Sequence, residues 1–379
     1  MSTIIRTRSP FFIRTPQETQ SSLSYFQINI TVFGGLSNST EQCDDLYAAY
    51  SLQKKPLGSE DSVSVDISEI VNDHLEQIFT GVYSVSSEKS SIWVTVATSP
   101  RQEDASLVDG ASITSNTYLA QEGYNHFKDG ANYTVEPIAM ISGSYLQYHQ
   151  GSTITIPVNV ERVVSVQWRS GTSTRETDSF TDNGNQNQKI GYAQFSGSTV
   201  LDNILVTYDD SFESTITIVP IEECKFPVHK ITFVNRWGAM QDLFFFKKST
   251  ESLDTRSENF NASIFEARNV VLSPPSSGTE CREEITYNTY STTAHAKKTF
   301  NSNATESISL NTGFVNELMN PYFEELMVSE YIWLTDSNNT IYPVSLKDSS
   351  FTYKTGLNDR LINYTMNFEK SFSLVNNIR

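Results

Sequence analysis

The side chains able to carry out chemistry are scattered along this sequence. No histidine has a second His or Cys two or four residues away, the spacing at which a strand or helix pairs metal ligands. The motifs of nucleophilic hydrolases, zinc peptidases, phosphate-binding loops and dinucleotide folds do not occur. We therefore predict a non-enzymatic protein that holds no metal and no cofactor. The five histidines are His74, His126, His149, His229 and His295.

Two weaker chemical signals remain. Asp209–Asp210 and Glu283–Glu284 are adjacent carboxylates, which are more typical of solvated turns than of an acid–base pair. A glycosidase that uses two distant carboxylates leaves no local spacing signal and stays open at this point. The polar stretch Ser170–Gln188 reads as a long loop with Asp182-Asn183-Gly184 at its tip. It resembles a calcium loop only faintly, because no bidentate glutamate stands at the required place.

Composition limits the classes of function. The chain has 379 residues, 38% hydrophobic and 12% aromatic, with a net charge of -17. This acidity argues against a nucleic-acid-binding surface, which needs clustered lysine and arginine. The start of the chain shows no secretory signal, and no apolar run is long enough to span a membrane. Three widely spaced cysteines predict free thiols; they are Cys43, Cys224 and Cys281.

The stretch Cys224–Lys248 is the most apolar part of the chain. Two strands separated by the turn Asn235–Gly238 predict a β-hairpin. The second strand carries three consecutive phenylalanines, and because side chains alternate along a strand, both of its faces need cover. We expect one face to pack inside the domain and the other against the C-terminal helix or a neighbouring subunit. The predicted interface residues here are Trp237, Phe244, Phe245, Phe246, Lys247 and Lys248.

Residues 1–20 form a polar arm that carries Arg6, Arg8 and Arg14. A basic arm ahead of an acidic body is suited to docking on an acidic partner, such as a second copy of the chain. The alternative is that Phe11–Arg14 forms a first edge strand. The sequence favours neither interpretation over the other.

Short strands with polar outer faces dominate the pattern and predict a mainly β protein. Residues 21–135 are expected to form a β-sandwich of immunoglobulin or fibronectin type with one helix, which Asp66 opens and Gly81 ends. Residues 136–222 have almost no helical signal and predict a second β domain. Residues 223–379 predict an α+β C-terminal sandwich, in which a helix capped by Asn311 or Thr312 covers a meander of strands. Pro321 either kinks this helix or starts a second one.

Three segments carry a resemblance to a known class of proteins. They are HKITFVNRWGAMQDLFFFKKS (His229–Ser249), YPVSLKDSSFTYKTGLNDRLINYTMNFEKSF (Tyr342–Phe372) and RSPFFIRTP (Arg8–Pro16). The chain resembles structural proteins of tailed bacteriophages, especially crAss-like phages and related podophages. The resemblance implies a virion protein of the neck or tail, assembled in the bacterial cytoplasm and built into a ring that extends the portal channel. The middle segment, 136–222, contributes nothing to it.

The partners that this implies are further copies of the chain, other neck, tail or portal proteins, and double-stranded DNA that passes through the channel without specific binding. Modular β domains with free strand edges suit such a ring. A carbohydrate-binding tail fibre or adhesin is the alternative from another class, because surface tyrosines and Trp168 beside polar loops would suit sugar stacking. A trimeric fibre would be expected to show repeats or a long coiled coil, and neither is visible in the sequence.

Overall fold

Strands make up 49% of the chain and helices 6% in the computed structural model. The mainly β class is therefore confirmed, and the several sheets are consistent with β-sandwiches. The structure describes residues 3–37, 46–57, 61–83, 89–132, 139–182, 184, 186–272, 283–354 and 362–375. Two of the three cysteines, Cys43 and Cys281, lie outside these residues, and Cys224 is a free, exposed thiol as predicted.

Packing divides the chain into two compact units. The main unit comprises Met1–Thr250 and Ser309–Ser371, and the ribbon unit comprises Glu251–Ile308 and Phe372–Arg379. Each sheet draws its strands from only one of the three long segments expected from the sequence, apart from two short strands that residues 1–20 contribute. The borders of the four predicted segments stay a prediction.

The first sheet of the main unit is built on an alternating strand. The sequence YFQINITVF buries every second side chain, and the buried side contacts a neighbouring strand and a short helix to form an apolar core. The strand order is β1-β7-β6-β3-β4, while β2 pairs with β5. The elements are β1 (Ile4–Arg6), β2 (Phe12–Arg14), β3 (Tyr25–Phe33), β4 (Leu46–Lys54), β5 (Ser64–Asp66), α1 (Ser68–Asn72), β6 (Ser91–Arg101) and β7 (Thr114–Gln121).

The helix in this segment is shorter than predicted. Asp66 accepts a hydrogen bond from the amide of Ser68 at 3.0 Å, as a capping residue would, but α1 ends after only five residues. Beyond it, the amide of Glu76 bonds to the carbonyl of Lys89, and Phe79 packs in a different apolar cluster. Tertiary packing therefore replaces the second half of the helix that the apolar spacing predicts.

The arm proposed for residues 1–20 is largely built into this sheet. β1 pairs in parallel with β7, and Ile4 and Ile5 are buried. β2 pairs antiparallel with β5, so the edge-strand interpretation of Phe11–Arg14 is the one observed.

The middle segment forms a five-stranded sheet and a two-stranded sheet. Their orders are β11-β10-β13-β14-β8 and β12-β9. The predicted loop Ser170–Gln188 is wrong in part, because seven of its residues form β11 in register with β10. That strand is exposed along its length, so no apolar alternation marks it in the sequence. The strands are β8 (Tyr145–His149), β9 (Ile154–Asn159), β10 (Val163–Ser170), β11 (Ser173–Ser179), β12 (Ile190–Phe195), β13 (Asn203–Tyr208) and β14 (Glu213–Ile221).

The last segment supplies a sheet of order β16-β15-β21-β22-β23-β20-β17 and a separate pair, β18-β19. β20 belongs to the ribbon unit up to Ile308 and to the main unit from Ser309. The helix α2 starts at Asn320 with proline in its first turn, so Pro321 starts a helix and does not kink a longer one. The helix predicted from Asn311 or Thr312 is wrong, because β20 continues to Asn311 and residues 312–316 are not helical. The elements are β15 (His229–Val234), β16 (Met240–Phe245), β17 (Thr250–Asn261), β18 (Phe265–Leu272), β19 (Glu283–Tyr290), β20 (Lys297–Asn311), α2 (Asn320–Val328), β21 (Ile332–Thr335), β22 (Ile341–Leu346) and β23 (Thr365–Lys370), with short 3₁₀ turns at Phe127–Asp129 and Glu317–Met319.

Candidate oligomer interface

The hairpin predicted at the centre of the C-terminal segment is present. β15 and β16 pair antiparallel from His229 opposite Phe245 to Val234 opposite Met240. The turn between them is held by Asn235, whose Oδ1 accepts from two backbone amides at 3.0 and 3.1 Å. The hairpin is therefore a fixed platform for the side chains around it.

The turn needs glycine at position 238. Gly238 has φ +79°, in the left-handed region that disfavours other residues. A Cβ atom there would lie 2.1 Å from the carbonyl oxygen of Glu122, so the backbone that follows β7 packs directly on the turn. This close approach joins the N-terminal and C-terminal sheets of the main unit.

The three consecutive phenylalanines are buried by residues of their own chain. Phe245 is fully buried and meets Phe368 edge to face at 6.1 Å, while Phe244 and Phe246 stack at 6.3 Å. Both faces of the strand are covered, as the alternation requires. These rings offer no free surface to a second copy, so an interface through them stays a prediction without structural support.

Trp237 and Arg6, both predicted to lie at an interface, meet each other inside one chain. The guanidinium of Arg6 lies 4.6 Å from the centre of the indole ring, and that of Arg236 lies 4.2 Å from it. Arg6 is 2% exposed, and Arg236 also forms an ion pair with Asp129 at 3.6 Å. The indole is thus bracketed by two cations and ties the first strand to the hairpin turn.

The other arginines of the N-terminal arm differ in how firmly they are held. Arg8 forms an ion pair with Glu330 at 3.0 Å, donates to the carbonyl of Val328 at 2.8 Å and lies over the ring of Tyr124. Arg14 is exposed and donates to Ser62 at 3.2 Å. Of these two, only Arg14 keeps a largely exposed surface.

The two lysines that end the hairpin lie at the surface of the main unit. Lys247 forms an ion pair with Glu223 at 2.7 Å, and this hydrogen bond lowers the pKa of the Glu223 carboxyl. Lys248 is exposed. Lys247 therefore meets an acidic partner within its own chain.

Two buried carboxylates lie against the turn, and sequence reasoning missed both. Glu325 on α2 accepts from Ser142 Oγ at 2.8 Å and from the amide of Arg236 at 3.1 Å, and burial raises its pKa. Glu122 is 3% exposed. Burial, and then the charge of Glu330, raise its pKa to about 7. Neither is marked by any motif, because the burial of each depends on tertiary packing.

In the loop that faintly resembles a calcium site, the carboxylate of Asp182 binds a lysine ammonium. Lys189 is 1% exposed, and its Nζ lies 2.9 Å from Asp182 and 3.3 Å from Glu161. Among the residues that the structure describes, no group of three or more His, Cys, Asp or Glu side chains is placed to hold a metal ion.

Trp168 does not provide the sugar-stacking surface expected of it. The indole is fully buried, donates to Asp178 at 2.9 Å and packs 5.8 Å from Phe195. The expectation that it lies at the surface is wrong, because the indole packs in the core against Phe195 and its N–H bonds to Asp178 of β11.

The ribbon unit has a large exposed surface, and sequence reasoning did not predict its strand β17. All twelve residues of β17 are exposed. The strand pairs with β20, which is confirmed by a hydrogen bond from Thr299 to Asn259 at 2.6 Å and by a 6.2 Å contact between Phe260 and Phe300. Only the absence of apolar alternation in a Ser-, Thr- and Asn-rich stretch could have signalled strands without a core. The large exposed side chains of this ribbon are Leu253, Phe260, Tyr290 and Phe300.

At about 3.3 Å per residue, the twelve residues of β17 extend for about 40 Å. β18 and β19 form a second antiparallel pair over eight residues each. Among the residues of the ribbon unit whose side chains are described, 251–264, 289–308 and 372–375, the buried hydrophobic ones are Ala304 and Ile308. β17 therefore has a paired backbone but no buried side chain of its own.

No family model matches the chain, and no curated protein is significantly similar to it. No helix in the described ranges has the length and apolar character needed to cross a bilayer.

Proposed function

We propose that this chain is a non-enzymatic structural subunit of a tailed-bacteriophage virion. In this proposal it forms a homo-oligomeric ring of the neck or tail, assembles in the host cytoplasm and extends the portal channel through which double-stranded DNA passes. The other neck, tail and portal proteins are its further partners. The observation that carries the proposal is the exposed ribbon unit.

A two-stranded ribbon is at best marginally stable in water, because it has no second layer on which to bury its side chains. The ribbon of β17 and β20 also exposes the rings of Phe260 and Phe300, at 47% and 64% of their surface. β17 is the last strand of its sheet, so one of its edges has backbone donors and acceptors without a strand partner. Such an element gains most from a neighbouring protein that covers it.

A second copy of the chain suits this role. The main unit has its own apolar core, so the ribbon can dock on a neighbour while the main unit stays folded. Docking of a ribbon onto a different surface of the next copy is a head-to-tail contact, and such contacts generate rings when the rotation closes. The mixed charges along β17 favour a specific partner over unspecific aggregation; they are Glu251, Asp254, Arg256 and Glu258.

The rest of the chain fits this role. We assign the N-terminal sheet to an immunoglobulin- or fibronectin-like sandwich and the C-terminal sheet with α2 to an α+β domain, which are modules that ring proteins combine. The net charge of -17 suits a channel wall along which DNA slides without binding, provided that acidic side chains line the lumen.

The test is negative-stain microscopy and mass photometry of the purified full chain and of the double variant Phe260→Ser, Phe300→Ser. The wild type is expected to form closed rings. Burial of two half-exposed rings contributes about 3 kcal/mol, so the double variant should associate about a hundredfold more weakly. The thermal melting of the main unit should stay unchanged, because neither ring belongs to it.

The matched control is Phe212→Ser, which removes a ring that is 58% exposed in the main unit. The control is expected to form rings with wild-type affinity. A wild type that stays monomeric at high micromolar concentration contradicts the ring. A wild type and a double variant that assemble equally well contradict the role of the ribbon and leave the ring intact.

A further inference from the structure

A cleft of about 800 Å³ opens in the main unit beside the hairpin. Its walls come from residues 80–83, 149–153, 194–196 and 335–341, together with side chains of β15 and β16. A concave site of this volume, built from several distant parts of one chain, is typical of a place where a small ligand binds. None of the interface residues needed for the ribbon contact lines it.

Lys230 provides the charged group of this cleft. Its ammonium is 3.2 Å from the hydroxyl of Tyr83 and 3.4 Å from Asp242, and it lies 5.0 Å from the centre of the tyrosine ring. Asp242 is buried and also accepts from Thr232 at 2.6 Å and from Tyr83. The carboxylate of Asp242 thus neutralises the Lys230 ammonium. The Lys230 side chain is 20% exposed, which leaves donor capacity for a ligand.

Polar groups on the rim are already oriented by bonds among themselves. His149 Nδ1 and Ser152 Oγ are 2.9 Å apart, and the hydroxyls of Thr153 and Ser196 are 2.7 Å apart. On the facing wall, Asp336 Oδ1 accepts from two backbone amides of its own turn at 2.8 Å each. Because these groups are held before any ligand arrives, less conformational entropy is lost on binding.

The charged, polar and apolar groups that line the cleft indicate which class of ligand fits it. Asp242 neutralises Lys230, so Asp336 leaves the cleft one net negative charge, which repels a phosphate and is too little to hold a metal cation. The many hydroxyl and amide groups exclude a lipid, whose chain could not satisfy them. Apolar side chains interrupt the polar wall and provide surface for the C–H faces of a sugar ring; they are Val82, Val228 and Ile341.

We propose that this cleft binds a neutral, polyhydroxylated ligand, a short oligosaccharide, through the Lys230 ammonium and the hydroxyl and amide groups of its rim. The site is a property of the main unit and does not depend on ring assembly. It gives the protein a second contact with its surroundings, with a cell-surface or capsular glycan as the chemical partner.

The experiment begins with fluorescently labelled full-chain protein on a printed array of neutral and acidic oligosaccharides. The neutral oligosaccharide with the strongest signal is then titrated into wild type and variants by calorimetry. Ser196→Trp places an indole on the exposed rim and is expected to weaken binding at least tenfold. Asn339→Gly removes one rim amide and suits the left-handed backbone at φ +62°, so it should weaken binding about threefold without a loss of stability.

The matched control is Ser173→Trp, which adds the same side chain at an exposed position of β11 outside the cleft. It should bind as the wild type does. The proposal is overturned if no neutral oligosaccharide binds, if only acidic glycans bind, or if Ser196→Trp binds as tightly as the control. Mass photometry of the same samples shows separately whether the ring is intact, so a failure of one proposal is not mistaken for a failure of the other.

Discussion

Replacing Glu122 with glutamine should stabilise the protein above neutral pH and leave its stability almost unchanged near pH 4.5. The carboxyl is buried beside the hairpin turn, and its pKa rises from 4.5 to about 7 on folding. At about 1.4 kcal/mol per pH unit, this rise corresponds to a penalty of about 3 kcal/mol for the ionised form in the folded state. Glutamine is nearly isosteric and carries no charge, so it removes this penalty.

The pH window follows from linkage. Below about pH 4.5 the carboxyl is protonated in both the folded and the unfolded chain, so it contributes no pH dependence. Between pH 4.5 and about 7 the folded chain holds a proton that the unfolded chain has lost, so stability falls as pH rises. Above about pH 7 the full penalty applies. The stability gained from Glu122→Gln should therefore grow through this window and level off above it.

The assay is urea unfolding followed by tryptophan fluorescence at about pH 4.5, 6 and 8. All four tryptophans belong to the main unit, so the signal reports that unit alone. The matched control, Glu103→Gln, changes an exposed glutamate and should shift the free energy of unfolding by less than about 0.5 kcal/mol at every pH. An equal effect of Glu122→Gln at pH 4.5 and pH 8 would refute the reasoning.

Three further substitutions test the main unit. Phe245→Ala empties a fully buried site and should lower the free energy of unfolding by about 3 to 5 kcal/mol in urea titrations. The oligomeric ring should still assemble at low temperature. Loss of the oligomeric ring with unchanged stability would instead place Phe245 at an interface. Gly238→Ala should cost more than about 2 kcal/mol, whereas Gly171→Ala, at a similar positive φ but with open space around it, should cost about 1 kcal/mol; equal costs would show that the close contact at the turn is absent. Lys189→Met leaves two carboxylates without their buried cation and should cost about 3 kcal/mol by thermal melting, and a change below 1 kcal/mol would contradict the pairing.

The sequence predicted best where a local pattern decides the structure. Alternation in Tyr25–Phe33 and the Asn-Gly punctuation around Asn235–Gly238 predict β3 and the hairpin, because one buried face and one tight turn leave little freedom. Pro321 marks the start of α2, because proline is favoured at the first position of a helix. These features depend on neighbours in the chain and need no knowledge of the tertiary structure.

Prediction from the sequence failed where contacts between distant segments determine the local structure. Phe79 fits a helical stripe, yet it packs beside Trp333 at 5.6 Å, and the helix ends seven residues earlier. Phe351 continues an alternating pattern, but residues 351–354 form no strand, and its ring instead packs 4.8 Å from Tyr364. The stack of Arg6 on Trp237 joins residues more than two hundred positions apart, which no spacing rule detects. β17 was missed because an exposed strand has no apolar face.

Hydrogen exchange of the amides of β17 tests the central claim most directly. The claim is that the exposed strand Thr250–Asn261 is covered by another copy of the chain in the assembly. Exchange is measured by mass spectrometry on assembled protein and on protein diluted until it is monomeric. We predict that these amides exchange at least tenfold more slowly in the assembly, while the amides of β11, an exposed edge strand of the main unit, change less. Equal exchange of β17 in the two states would contradict the account.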